Sequence, residues 1–237
     1  MVSYNDTILK LYGRHGREGE KNMYEYVAKS EYAPIRQELE KIINIVQQEM
    51  RKKHKITFQF RLIGSGKRHL ITRIRGGNKG YDFDYNLIIP HPGSGYHYKA
   101  DALKQNFMDA FKTALKGTQY SFPNDSTSAI TIKVIDKKNK KVCHSCDFAV
   151  IYYGNCNGND GYYYLRNNKE PGTYQFAFRV LAPDIDEKVR DIIRKNGWPN
   201  IKKEYLHLKN INEGNGKPSF SLYTEAVNNV YNQMFLQ

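Results

Sequence analysis

Long apolar runs are missing from this chain. None reaches the roughly 18 residues that a membrane-spanning helix requires, which excludes a span of that kind. The opening residues, MVSYNDTILKLYGRHGREGEK, lack the continuous apolar core and small-residue cleavage site of a secretory leader, so the expected location is the cytoplasm. Cysteine is scarce: three residues, Cys143, Cys146 and Cys156, make an odd set that argues against a disulfide scaffold. Cys143 and Cys146 form a CxxC pair around His144. That run reads as a strand, where residues three apart point to opposite faces, and a zinc site would need about four converging ligands. Acidic residues are also in deficit, 24 against 37 lysines and arginines. There is no internal repeat, low-complexity tail, C₂H₂ zinc-finger spacing, RRM aromatic motif or heptad pattern, so nothing supports a DNA- or RNA-binding regulator of those types.

What is present is enough apolar material for a core, 40% of 237 residues, and a formal charge of +13. A basic excess of this size favours polyanionic partners: nucleic acid, nucleoside triphosphates or an acidic membrane surface. Charge alone also serves solubility. Nineteen tyrosines add surfaces on which bases can stack, although tyrosine is equally a core residue.

Periodicity divides the chain into elements. Residues 1–30 read as a short helix, a charged glycine-containing stretch and more helix. From Ile35 to Met50, apolar residues at spacings of three and four mark a long helix with one buried face, with Pro34 suited to its first turn. Ile56, Phe58, Phe60 and Leu62 alternate with polar residues as a strand that runs into the turn Gly64-Ser65-Gly66. The basic segment after it reads as a loop or partly helical excursion. DFDYNLII from Asp82 is a second strand, 99–116 an amphipathic helix, and SAITIKVID and KVCHSCDFAVIYY two strands of a hairpin. Residues 174–181 read as a further strand, and helices follow beyond Pro183. The expected architecture is an α+β fold: a mixed β-sheet with helices packed on one face over 1–182, plus a small C-terminal helical lobe over 183–237.

The chemistry is concentrated in three carboxylates. Asp82 and Asp84 lie two apart in a strand, so both project from one face, about 7 Å apart along the chain. Alone, such a pair is also what a strand end meeting solvent would show. Asp147 sits in the middle of an otherwise apolar strand, where a carboxylate is costly unless it is paired or binds metal. If the two strands are neighbours, the three carboxylates converge and fit a two-metal site. Upstream, the Gly64-Ser65 turn offers backbone N–H groups and a hydroxyl to phosphate. Lys67, Arg68, Arg73, Arg75 and Lys79 lie between that turn and the carboxylates; they read either as anion ligands or as a solvated basic loop.

In this order, the run LIGSG…YDFDYNLII…AITIKVID…CDFAVIYY resembles the DNA polymerase beta-like nucleotidyltransferase superfamily. It looks most similar to the branch holding oligoadenylate synthases, cyclic GMP-AMP synthase and bacterial cyclic-oligonucleotide synthases, over roughly residues 35–153. The resemblance implies a palm-like sheet and two Mg²⁺ or Mn²⁺ ions. It implies that Gly64, Ser65, Lys67 and Arg68 contact phosphates, that Asp82 and Asp84 ligate both metals, and that Asp147 ligates the catalytic metal and helps deprotonate the acceptor hydroxyl. More faintly, Lys209 and Ser219 match a lysine-bearing helix and a serine near the triphosphate in that branch; they also read as a helix-end lysine and a helix N-cap. The chain departs from the pattern in having 16 residues between Ser65 and Asp82, Tyr81 where serine is common, and a short helical C-terminal part.

The activity so implied is transfer of a nucleotidyl group from a nucleoside triphosphate to a hydroxyl of a nucleotide or RNA, with pyrophosphate leaving. The competing expectation is a catalytically inactive protein of the same fold that binds RNA or nucleotide. Against it, a binding module gains nothing from a costly acidic cluster within a basic chain.

Overall fold

The computed structural model describes residues 23–93, 97–168, 172–181, 185–212 and 216–236. These fall into two compact units. One comprises 27–71 and 80–181; the other comprises 23–26, 72–79 and the described residues from 185 onward. Among the described residues, no helix is long and apolar enough to cross a membrane.

In the larger unit, helix α1 (Lys29–His54) buries Tyr32, Leu39, Ile42, Ile43, Val46 and Met50 along one stripe, as the spacing predicts. It starts before Pro34, which therefore lies inside the helix and removes one backbone hydrogen bond. The extra turn is held by Tyr32, buried and hydrogen-bonded through its hydroxyl to His69 Nδ1 at 3.0 Å. Strand β2 (Gln59–Ile63) leads into a single turn of helix, α2 (Gly64–Lys67). After an excursion into the other unit come β4 (Tyr81–Ile88) and helix α3 (Ala100–Ala114). β5 (Asn124–Asp125), β6 (Ile130–Asp136), β7 (Lys141–Cys156), β8 (Asn159–Asn167) and β9 (Tyr174–Val180) complete the sheet.

The sheet is mixed. β4 pairs with β2 antiparallel and with β7 in parallel, while β6 and β8 pair antiparallel with β7. The alternation in β4 and β7 sends Phe83, Tyr85, Leu87, Cys146, Phe148 and Val150 into the core, where they join Leu39, Ile43 and Met50 of α1 and Phe107 and Phe111 of α3. Phe148 packs against Phe111 at a tilt, with 4.6 Å between ring centroids. The same alternation separates the cysteine pair: Cys143 is exposed and Cys146 buried. One buried residue is unexpected for its type. Lys104, on the inner face of α3, reaches Asp125 at 2.7 Å and the Ala129 carbonyl at 3.2 Å, and burial pulls its ammonium below the usual lysine range despite the Asp125 partner.

The smaller unit explains the long spacing between Ser65 and Asp82. Residues Thr72–Ile74 of that segment form a strand (β3) that pairs antiparallel with β1 (Tyr24–Tyr26). With them belong helices α4 (Asp186–Arg194), α5 (Trp198–Ile211) and α6 (Ser219–Phe235), which bury Ile192, Ile201, Tyr205, Leu222, Tyr223 and Val227. The helical expectation for residues 24–26 and the loop expectation for 72–74 give way here to a pairing between segments nearly 50 residues apart, which local pattern does not report. The rest of the N-terminal expectation, residues 1–22, lies outside the described residues.

Candidate active site

The site is set by register. β4 and β7 run in parallel so that Asp82 lies opposite Ser145 and Asp84 opposite Asp147. Cross-strand partners share a face, so the three carboxylates stand together on the side of the sheet away from α1 and α3. Gly80 permits this entry. Its φ is +64°, and a Cβ there would run into the Cys143 backbone carbonyl, so only glycine lets β4 come this close to β7.

The Gly64-Ser65 turn arrives at the same place. Ile63 pairs with Asp84 at the end of β2, and Gly64 follows with φ +61°. A Cβ at 64 would sit 2.7 Å from Asp84 Oδ2. Arg68 Nη1 donates to the Gly64 carbonyl at 3.0 Å, and Leu70 N–H donates to the Ser65 carbonyl at 2.9 Å, so the turn is held from both sides. Lys67 is exposed and lines an open cleft of about 460 Å³ with Arg36, Arg61 and His69.

Two hydroxyls hold the outer carboxylates. Ser145 Oγ donates to Asp82 Oδ1, and Thr131 Oγ1 donates to Asp147 Oδ1 at 2.5 Å. Both donors were missed in the sequence, although their strand phase, in step with Asp147, is the signal that would have found Ser145. Among the described residues, no three carboxylate, imidazole or thiol side chains close on a common point. Like charges on one face turn toward neutral donors rather than toward each other. The electrostatics still report their proximity. Asp84, half-buried, is pushed up to about 6, first by burial and then by the charges of Asp147 and Asp82. Asp147 is exposed as a residue, yet neighbouring groups crowd its carboxyl; the loss of water there raises it, while the Thr131 hydroxyl opposes the rise.

The sign of the Asp84 shift makes a prediction. A carboxyl whose folded-state pKa is raised stabilises the fold fully below its unfolded value, and loses that contribution as pH climbs through about 6. In EDTA, Asp84→Asn is therefore expected to be more stable than the parent chain at pH 8, by about 1–3 kcal/mol, with the gap closing near pH 4. Urea unfolding at the two pH values measures this; a gap that does not change with pH contradicts it.

The remaining candidates belong to the smaller unit. Arg73 and Arg75 clamp Glu25 of β1 at 2.8 and 2.9 Å within the smaller unit, and hold its carboxyl below the usual range. Lys209 and Ser219 are also in that unit. Lys209 Nζ donates to Ser219 Oγ at 3.1 Å and lies 4.3 Å from the centroid of the Tyr24 ring.

No protein-family profile and no curated protein sequence matches the chain. Solved structures do. The chain is similar to a Vibrio cholerae DncV di-nucleotide cyclase variant in complex with ATP, GTP and 5MTHFGLU2, with TM-score 0.51, 13% identity and coverage of 86% of this chain and 55% of that one. It is similar to Vibrio cholerae DncV cyclic AMP-GMP synthase bound to nonhydrolyzable GTP, with TM-score 0.51, 16% identity and coverage of 86% and 53%. The 3′-deoxy ATP-bound form of Vibrio cholerae DncV gives 0.50, 16%, 86% and 53%. The chain thus spans about half the length of these proteins. At such identities the likeness is one of fold: the chain has the fold of the DncV di-nucleotide cyclase.

Proposed function

We propose that the chain is a metal-dependent nucleotidyltransferase that moves a nucleoside monophosphate from a nucleoside triphosphate to a hydroxyl acceptor, a nucleotide or RNA. One bond forms between the acceptor oxygen and the α-phosphorus, the α–β phosphoanhydride bond breaks, pyrophosphate leaves, and the hydroxyl proton is given up. The observation that carries this reading is the pairing of Asp84 with Asp147 across β4 and β7, beside the Gly64-Ser65 turn, with Asp84 raised to about 6. The DncV structures of similar fold include complexes with nucleoside triphosphates, which supports the substrate class.

The donor set suits Mg²⁺ or Mn²⁺. It consists of hard carboxylate oxygens, and the raised Asp84 marks a site where a cation would relieve repulsion. Asp82, Asp84 and Asp147 would hold two ions, which would neutralise triphosphate charge and activate the attacking hydroxyl. Asp147 would take the acceptor proton on a carboxylate oxygen, with the Thr131 hydroxyl fixing its orientation. The backbone of Gly64 and the Ser65 hydroxyl receive phosphate oxygens, with Arg68 keeping the turn in shape.

The test is incubation of the full chain with each α-labelled nucleoside triphosphate and Mg²⁺ or Mn²⁺, with and without RNA. Release of pyrophosphate together with label in a new phosphodiester supports the proposal. RNA or nucleotide binding without turnover under any of these conditions favours the inactive binding protein instead.

A further inference from the structure

β7 is long enough to be used twice. Its first half pairs with β6 and its second with β8, both on the side away from β4. The face that carries Asp147 therefore continues along β7 to Ile151 and Tyr153, across to their β8 partners Tyr164 and Tyr162, and on to Arg179, the β9 partner of Tyr162. Here the planar groups cluster. The Arg179 guanidinium lies 4.9 Å from the Tyr164 ring centroid and donates to the Tyr162 hydroxyl at 3.5 Å. Tyr153 and Arg179 are exposed, and Tyr162 and Tyr164 are half-buried. Beside them on β8, Arg166 Nε is buried without a hydrogen-bond partner among the described residues. The opposite face of the same strands is different in kind: Tyr163 stacks on Tyr152 and meets Phe178 at a tilt, in a ladder that consolidates the hairpin.

We propose that Tyr162, Tyr164 and Arg179 form a stacking platform for a single-stranded nucleic acid whose terminal hydroxyl is the acceptor at the carboxylates. The proposal rests on the transferase reading and names its acceptor class. The half-buried Tyr162 and Tyr164 rings and the exposed Arg179 guanidinium plane that lies over Tyr164 offer π-surfaces to a base, and the arginine adds the charge a phosphodiester strand needs. The geometry sets the length. From Asp147 to Ile151 is four residues along β7, and Tyr164 is one strand across, which together span about 14 Å. A stacked strand advances about 3.4 Å per nucleotide, so the platform meets a base about four nucleotides back from the reacting end. A mononucleotide acceptor does not reach it.

Fluorescein-labelled hexaadenylate and diadenylate RNA, titrated separately with the full chain in EDTA and followed by anisotropy, test this without metal or nucleoside triphosphate. Arg179→Ala and Tyr164→Ala are expected to weaken hexamer binding about tenfold and to leave the dimer unchanged. Arg179→Lys does not restore it, because an ammonium has no plane to stack. Tyr163→Phe, on the opposite face of the hairpin, keeps the aromatic ladder and leaves hexamer binding as in the parent. Hexamer binding that is insensitive to Arg179→Ala, or that falls equally with Tyr163→Phe, overturns the platform. The two proposals fail separately: selective hexamer loss in a chain that never transfers a nucleotide sinks the transferase reading alone, and an active chain with unaffected hexamer binding sinks the platform alone.

Discussion

Asp84→Ala is expected to lower nucleotidyl transfer by about 10³-fold or more while leaving a folded chain. Three features make this the most damaging single change. Asp84 is the central carboxylate, with Asp147 as its direct cross-strand partner and Asp82 two residues earlier on the same strand. Burial and the charges of Asp147 and Asp82 raise its pKa to about 6, and a bound cation would relieve that crowding of charge. It is also the side chain against which the Gly64 turn is fitted. The fold does not depend on it, since the core residues of β4 are Phe83, Tyr85 and Leu87 on the other face. Steady-state transfer rates, with circular dichroism to check the fold, measure the effect. An Asp84→Ala protein with more than a tenth of parent activity is incompatible with the mechanism.

Gly64→Ala is the second large effect, and its size can be separated from backbone strain. At φ +61° any side chain is disfavoured by about 1–2 kcal/mol. The added methyl would also press on Asp84 Oδ2 from 2.7 Å. Displacing a reacting group by about 1 Å can lower turnover about 10²-fold, which is the loss expected here. Gly117→Ala is the control. Gly117 has φ +75° and open space around its Cβ position, so it suffers the strain without touching the site. Both variants should melt earlier than the parent, but only Gly64→Ala should lose activity. Equal activity in the two would mean that the turn does not position Asp84.

Much of the larger unit was legible because its strands alternate cleanly. In DFDYN, Asp82, Asp84 and Asn86 alternate with Phe83 and Tyr85 and so fix the face of both aspartates, whereas Asp147 shares its phase with Ser145 on one side and Ala149 on the other. The sequence could not say that β4 and β7 are adjacent, because that contact joins segments about 60 residues apart; only the register puts Asp84 beside Asp147. β8 was overlooked for a different reason. Its signal was local and strong: Asn157-Gly158, both with positive φ, form a two-residue hairpin turn between Cys156 and Asn159. The run after it, GYYYL, resembles neither an alternating strand nor a helix, since both of its faces carry aromatics. Lys104 was hidden because a lysine on an apolar helix face is read as solvent-directed until Asp125 is seen beneath it. The grouping of β1 and β3 with the C-terminal helices, through bonds such as Tyr26 hydroxyl to the Lys202 carbonyl at 2.7 Å, has no local signature at all.

The most direct test of the central claim is divalent-ion binding at the three carboxylates. Mn²⁺ titrated into the full chain with a nonhydrolysable ATP analogue, followed by electron paramagnetic resonance, reports it. Asp84→Asn and Asp147→Asn should each weaken Mn²⁺ binding at least about tenfold, because the two side chains face one another across adjacent strands. Parent-like Mn²⁺ affinity in Asp147→Asn would contradict the account.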